Sequence, residues 1–197
     1  GDVFEVTFSP DGERLASCGG DSTVRIWEVE NESKLEQLGE GRMGGGFNRS
    51  FAVSPDGTLL ARARPSGFTV LDIQSCEVLY ISRPMDSPYT IQFSSDGSRL
   101  LSSDLSNGKM HVWDADTFVE LSTLDVMPPT AGDLGLQATF NPNGTKIASW
   151  GLGRGLELWD TATGKRLGPG QNSNASEVRH KYLFSPDGTH LIGHSIS

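Results

Sequence analysis

Cysteine is scarce in this 197-residue chain, with two residues, Cys18 and Cys76. Two thiols make no disulfide framework and favour a reducing, cytoplasmic location. Long apolar runs are missing too: no stretch approaches the ~20 residues needed for a membrane-spanning helix, and no charged-then-apolar segment opens the chain. Basic residues are outnumbered, 16 Lys and Arg against 25 Asp and Glu, for a net charge of −9. That balance excludes a general affinity for nucleic-acid backbone, which comes from neutralising phosphates with Lys and Arg. No window shows the i, i+3, i+4, i+7 spacing of an amphipathic helix.

What the chain does have is glycine (24) and proline (10), and they fall in register. Phe8-Ser9-Pro10-Asp11-Gly12 returns as Val53-Ser54-Pro55-Asp56-Gly57, Phe93-Ser94-Ser95-Asp96-Gly97, Phe140-Asn141-Pro142-Asn143-Gly144 and Phe184-Ser185-Pro186-Asp187-Gly188. The copies are 45, 40, 47 and 44 residues apart, a period that signals a repeat architecture. Pro presets φ and Gly12, Gly57, Gly97, Gly144 and Gly188 accept φ > 0, so each copy is a tight turn. A short apolar stretch follows each turn, and then a second landmark: Val24-Arg25-Ile26-Trp27, Phe68-Thr69-Val70-Leu71-Asp72, Met110-His111-Val112-Trp113-Asp114 and Leu156-Glu157-Leu158-Trp159-Asp160. The β-branched and aromatic residues around the turns predict short strands.

This order of turn, small-residue strand and closing Trp-Asp pair resembles the WD-repeat β-propeller family. Trp113-Asp114 and Trp159-Asp160 match the closing pair fully, Trp27-Glu28 conservatively and Leu71-Asp72 only at the acid. The likeness covers nearly the whole chain. It implies an all-β fold of four-stranded antiparallel blades around a channel, part of a ring of about seven. Blades are expected over about 1–38, 48–82, 89–123, 136–168 and, incomplete, 180–197. Inner strands fall near 3–9, 48–54, 89–94, 136–141 and 180–185, and second strands near 13–18, 58–63, 98–103, 145–150 and 189–194. Third strands fall near 23–29, 67–73, 109–114 and 155–160, and outer strands near 34–38, 77–82, 118–123 and 165–168. Four blades and part of a fifth read as an excerpt of a longer propeller, completed by further blades of the same chain. The rival expectation is closure by self-association, and a free open arc should associate through its unpaired strand edges. Cys18 and Cys76 would sit at opposite ends of their blades, too far apart to bridge.

The resemblance also implies a buried polar set in each blade, with a Ser on the second strand and an Asp before the third supporting the Trp. Here that set is eroded. Ser17, Ser102 and Ser149 match the Ser, whereas Arg62 and Gly193 replace it, and only Asp21 matches the Asp. The blades should therefore lean on apolar packing.

In such blades the turns bring Asp11, Glu13, Asp56, Asp72, Asp96, Asp114, Asp116, Asp160 and Asp187 to one face. The opposite loops hold Arg42, Arg62, Arg64, Arg83, Lys109 and Arg154, interspersed with Glu40, Asp86, Asp104, Asp125 and Asp133. They add Met43, Phe47, Met85, Tyr89, Met127 and Trp150. Arginine, methionine and aromatics together are the mark of interface centres. Arg42, Arg62, Arg64, Arg83, Met85, Trp150 and Arg154 are thus the candidate partner-binding residues. For each a bland reading stands beside it: solvated arginines, and Trp150 packing between blades.

Chemistry finds no footing. Gly151, Gly153 and Gly155 precede a strand rather than the helix N-terminus a phosphate site needs. His111, His180, His190 and His194 lack metal-ligand spacing, and Asp114 and Asp116 lack the Gly and closing Glu of a calcium loop. No cofactor is expected, and no catalytic residue. The sequence points to a non-catalytic scaffold that binds proteins or peptides through the Arg-bearing loops. The alternative is a ligand-sensing or regulatory module of a larger protein whose catalytic domain lies elsewhere.

Overall fold

The computed structural model describes residues 3–9, 12–19, 23–30, 34–42, 50–64, 66–75, 77–82, 88–104, 108–126, 137–151, 154–168 and 179–196. Among them all regular structure is β, in seventeen strands. The chain divides into two compact units, Gly1–Phe93 and Ser94–Ser197.

The first unit begins with a sheet of β1 (Val3–Phe8), β2 (Arg14–Gly19), β3 (Thr23–Glu30) and β4 (Lys34–Arg42), ordered as in the chain. A second sheet repeats that order with β5 (Phe51–Val53), β6 (Leu59–Arg64), β7 (Gly67–Asp72) and β8 (Val78–Ile81). A third combines β9 (Pro88–Phe93), β10 (Arg99–Asp104), β11 (Lys109–Asp114) and β12 (Glu120–Asp125), and the unit boundary falls after β9. The second unit continues with β13 (Gln137–Phe140), β14 (Lys146–Gly151) and β15 (Arg154–Asp160), then β16 (Arg179–Phe184) paired with β17 (Leu191–Ile196). Every pairing given by register is antiparallel.

The strands fall within a few residues of their expected places. Two differences stand out. β4 runs on to Arg42, past the expected end at 38. The outer strand expected at 165–168 is reduced to one bridge, Trp159 with Arg166, plus the Leu167 amide donating to the Leu158 carbonyl at 2.7 Å. The second sheet is complete although its sequence lacks the Ser and the Trp, because Leu60 and Leu71 pair across β6 and β7 and fill the same layer.

The turns are built alike. The Ser54 hydroxyl accepts the Leu59 amide (2.9 Å) and donates to Asp56 Oδ1, while the Gly57 amide donates to the Ser54 carbonyl. Ser94, Asp96 and Arg99 repeat this, as do Ser185, Asp187 and His190. Asn141 takes the role with its amide oxygen, which accepts the Lys146 amide at 2.8 Å. Each turn glycine sits at φ between 67° and 76°, where a Cβ is strained. In the second unit the turns also touch. Arg99 donates to the Gly144 carbonyl at 2.7 Å, and the Gly144 Cα faces Ser94 and Asp96.

Within each unit, sheets bury rows of side chains against one another. In the first unit Ala16 and Ile26 meet Phe51, Leu60, Leu71 and Ile73 in one cluster. Ser50 then ties β5 to β9, its hydroxyl accepting the Ile91 amide at 3.2 Å. In the second unit Leu101, Met110, Val112, Leu124 and Val126 pack on Ala138, Phe140, Ile147 and Trp159. The polar set is better kept than the sequence suggests. Trp27, Trp113 and Trp159 each donate their indole N–H to Ser17, Ser102 and Ser149, at 2.8, 2.9 and 2.9 Å. A register shift recurs just at this position, between Ile26 and Trp27, Val70 and Leu71, and Val112 and Trp113. Such a bulge turns the strand locally, so that the large residue keeps facing inward.

This packing sets two stability outcomes. Trp159→Ala should cost about 3–5 kcal/mol, the range for deleting a buried large aromatic; urea unfolding measures it, and a loss below about 1 kcal/mol would contradict the burial. Gly164→Ala should cost more than Gly12→Ala. Both glycines lie at positive φ, where an added Cβ costs roughly 1–2 kcal/mol. At Gly164, however, that Cβ would also stand 2.6 Å from the Thr123 carbonyl oxygen, whereas at Gly12 it meets nothing within 4 Å. The clash should add about 1–3 kcal/mol, and equal unfolding midpoints for the two variants would refute the close approach.

Candidate functional site

The second sheet carries the unusual side chains. β6 alternates, so Leu60, Arg62 and Arg64 share one face, and Leu60 belongs to the apolar cluster that meets the first sheet. Arg62 stands where Ser17, Ser102 and Ser149 stand in other sheets, with Phe51 across from it on β5 and Thr69 across from it on β7. Leu71, in the Trp position, has no indole to offer it. Arg62 is only 4% exposed. Among the described residues its Nε and Nη1 have no hydrogen-bond partner, nor do Arg64 Nε and Thr69 Oγ1, the last on a residue 1% exposed. Burial, and secondarily the neighbouring Arg64 charge, pulls the Arg62 pKa below its ordinary value.

Two of the candidates lie on the second strands expected for them. Arg62 is held inside the sheet packing. The alternation with Leu60 and the alignment with the buried serines were the signals for it. Trp150 is likewise buried, at 6% exposure, on β14. It meets Tyr182 edge-on, ring centroids 5.3 Å apart. Tyr182 in turn lies over Gly193, its partner across β16 and β17, so closely that a Cβ there would sit 2.5 Å from the ring. Thus a glycine stands in the Ser position of this repeat where an aromatic ring occupies the space, and Trp150 packs against that ring.

Arg64 ends β6 half-buried. Arg42 ends β4 and Arg154 begins β15, but their side chains lie outside the described residues, as do Arg83 and Met85 entirely. Asp11, Asp21, Cys76, Met43, Phe47 and Met127 also fall outside them, as do the side chains of Cys18 and Tyr89.

The turn carboxylates are placed very differently. Asp56 and Asp96 each accept from a Ser two residues back and from the residue two ahead, and these bonds hold both carboxyls below the usual range despite some opposing burial. Asp187, bonded to Ser185 and Thr189, is lowered to about 2. At the other turn of each sheet, Asp72 accepts the Ser75 amide, Asp114 the Thr117 amide and Asp160 the Thr163 amide, at 2.7, 2.8 and 2.8 Å. Their pKa values are lowered by the same kind of bond. The acids therefore close their own turns, and their clustering follows from turn chemistry. Among the described residues no group of three or more His, Cys, Asp or Glu could hold a metal ion, and no helix is long and apolar enough to cross a membrane.

Antiparallel sheets of up to four strands, repeated in chain order and closed by like turns, are those of a β-propeller. The family model described as WD domain, G-beta repeat matches residues 1–28 and 84–114. Protein hir1 of Aspergillus terreus is 27% identical over 214 residues, covering 96% of this chain and 20% of that protein. A subunit of eukaryotic translation initiation factor 3 from the same fungus is 26% identical, over 96% of this chain and 58% of its own length. A subunit of chromatin assembly factor 1 from Gallus gallus is 25% identical, over 94% of this chain and 29% of its own length. Among solved structures, hydrazine synthase of Kuenenia stuttgartiensis has the same fold, with a TM-score of 0.78 at 20% identity over 98% of this chain and 55% of that one. The chain thus carries WD repeats and is similar to WD-repeat proteins over most of its length. It spans less than two thirds of each of these curated relatives.

The turn bonds give a pH prediction. The carboxyls titrate lower in the folded chain than the ordinary 3.8, so their stabilisation is complete above that value and is lost as pH falls toward about 2. Urea midpoints should be steady from pH 7 to 5 as far as these groups act, then drop between pH 4 and 2. Asp56→Asn, Asp96→Asn and Asp187→Asn together should flatten that acid limb; an unchanged limb would show that the bonds do not discriminate protonation.

Proposed function

We propose that this chain is a non-catalytic scaffold that binds proteins or peptides through the sheet ends opposite the Ser-Pro-Asp-Gly turns. One observation carries the proposal: at the turn ends the described aspartates spend their oxygens on their own backbone, leaving short and chemically alike loops with little to discriminate partners. The opposite ends carry Arg42, Arg64, Arg83, Met85 and Arg154 on loops of unequal length. Rigid strands bearing variable loops are the usual platform for recognition. The names of two relatives support it, since each is called a subunit of a larger factor, one of translation initiation and one of chromatin assembly. The proposal assigns no cofactor and no chemistry, and it retains a cytoplasmic location.

The test is comparative. Cross-linked partners of the parent chain are compared with those of Arg42→Ala, Arg64→Ala, Arg83→Ala and Arg154→Ala, and of Asp116→Asn and Glu13→Gln at the turn end. At least one arginine change should cost a partner about 2 kcal/mol or more, as central anchors do, while the two acidic changes cost little. If the acidic changes release every partner and the arginine changes none, the binding end is wrongly chosen.

A further inference from the structure

The second sheet holds a buried cation, Arg62, whose Nε and Nη1 have no hydrogen-bond partner among the described residues. A guanidinium deprived of water and of an anion is among the costliest groups to enclose, and a buried Arg is ordinarily paired. The sheet does not need it: at the same position the first, third and fourth sheets place Ser17, Ser102 and Ser149, each accepting an indole N–H. In the second sheet both halves of that bond are gone. Arg62 and Leu71 replace them, and Arg62 Nε and Nη1, Arg64 Nε and Thr69 Oγ1 are left as hydrogen-bonding atoms without partners.

The residues that carry these atoms are neighbours in the sheet. Arg62 and Arg64 are two residues apart on β6 and so share a face, and Thr69 is paired directly with Arg62 across the ladder. Phe51, Leu60 and Leu71 of the same apolar cluster lie beside Arg62 in the ladder and lower the local dielectric, which strengthens any charge pairing made there. The carboxylates of Asp56 and Asp72 lie at the turn end of this sheet and are committed to Ser54, Thr58 and Ser75. Arg64 is half-buried at the strand end, next to the β6–β7 loop, which gives an entering group a first contact.

We infer that Arg62, Arg64 and Thr69 form a receptor for one oxyanion, a carboxylate or a phosphate, carried on a side chain of a partner polypeptide. The Arg62 guanidinium keeps unpartnered N–H groups at Nε and Nη1, either of which can make a charge-assisted bond to an anion, Arg64 adds a second cation, and the Thr69 hydroxyl supplies a further donor. This rests on the reading of the chain as a protein-binding scaffold and names the chemistry that its partner brings.

The experiment titrates the full chain with three blocked pentapeptides identical but for a central Glu, phosphoserine or Gln, and with inorganic phosphate. Saturable binding of the Glu or the phosphoserine peptide, with none of the Gln peptide, is expected, and the stronger of the two identifies the source of the oxyanion. Arg62→Leu and Arg64→Gln should each weaken that binding about tenfold or more, the loss of a charge-assisted bond. Arg62→Leu should also unfold, without anion, at a urea concentration equal to or above that of the parent, because it removes an unpaired buried charge. A lower midpoint would mean that the guanidinium is already satisfied within the chain, and would overturn the inference. Failure of both charged peptides would overturn it as well, whether or not inorganic phosphate binds. If the Arg42, Arg83 and Arg154 changes still release partners in that case, the scaffold reading stands and only the receptor falls.

Discussion

A four-stranded sheet has two faces and cannot hide either by itself, so each sheet of this chain depends on the next for its solvent exclusion. That mutual dependence organises the rest. It explains why buried residues come in rows, Leu60 with Leu71 and Ile147 with Trp159, and why each row finds its complement on another sheet. Stability in such an array is a sum of unit terms and neighbour terms, and the neighbour terms carry the apolar area. Close backbone approach follows from it. Gly164 lies against the Thr123 carbonyl, and the Ser122 hydroxyl reaches the Thr161 carbonyl at 2.9 Å.

Stacking alone would let sheets slide, and the turns prevent it. A hydroxyl or amide at the first turn position binds the backbone five residues on, and the acid two residues on binds that hydroxyl and the chain beyond it. The same short motif sets strand register, terminates the strand pair and, in the second unit, seats one turn on another through Arg99 and Gly144. The negative charge of the chain is partly a by-product of this construction rather than a sign of what it binds.

Much of this was legible from residues alone because the determinants are local. Gly at φ > 0, Pro before Asp and the alternation of Leu and Val declare turns and strands without reference to distant parts of the chain. The Trp and Ser of a blade are ten or eleven residues apart, still near enough to be read as a pair. What escaped is set by contacts between repeats. Nothing near Gly193 announces the ring of Tyr182, and nothing near Trp150 announces the same ring, since both facts depend on how β16 lies beside β14 and β17. Arg62 drew two readings from the sequence: residue type argued for solvent, and position argued for the interior. Position prevailed, because the ladder from Phe51 through Arg62 to Thr69 fixes the face. Of the other candidates, Arg64 is half-buried at its strand end, and Arg42 and Arg154 are described by their strand-end locations, so the face they were chosen for rests on loop chemistry.

The exchange of Ser and Trp for Arg62 and Leu71 has a bearing on symmetry. Identical repeats present the same features at every step, and an object built from them has no landmark by which one position can be told from another. An altered unit supplies a landmark. The first, third and fourth sheets keep the indole-to-hydroxyl bond and are interchangeable at this level, whereas the second carries Arg62 and the fifth Gly193 in the place of the serine. Degeneration of a repeat in this chain is therefore also a gain of address: it gives a rotationally monotonous molecule an origin from which everything attached to it can be counted.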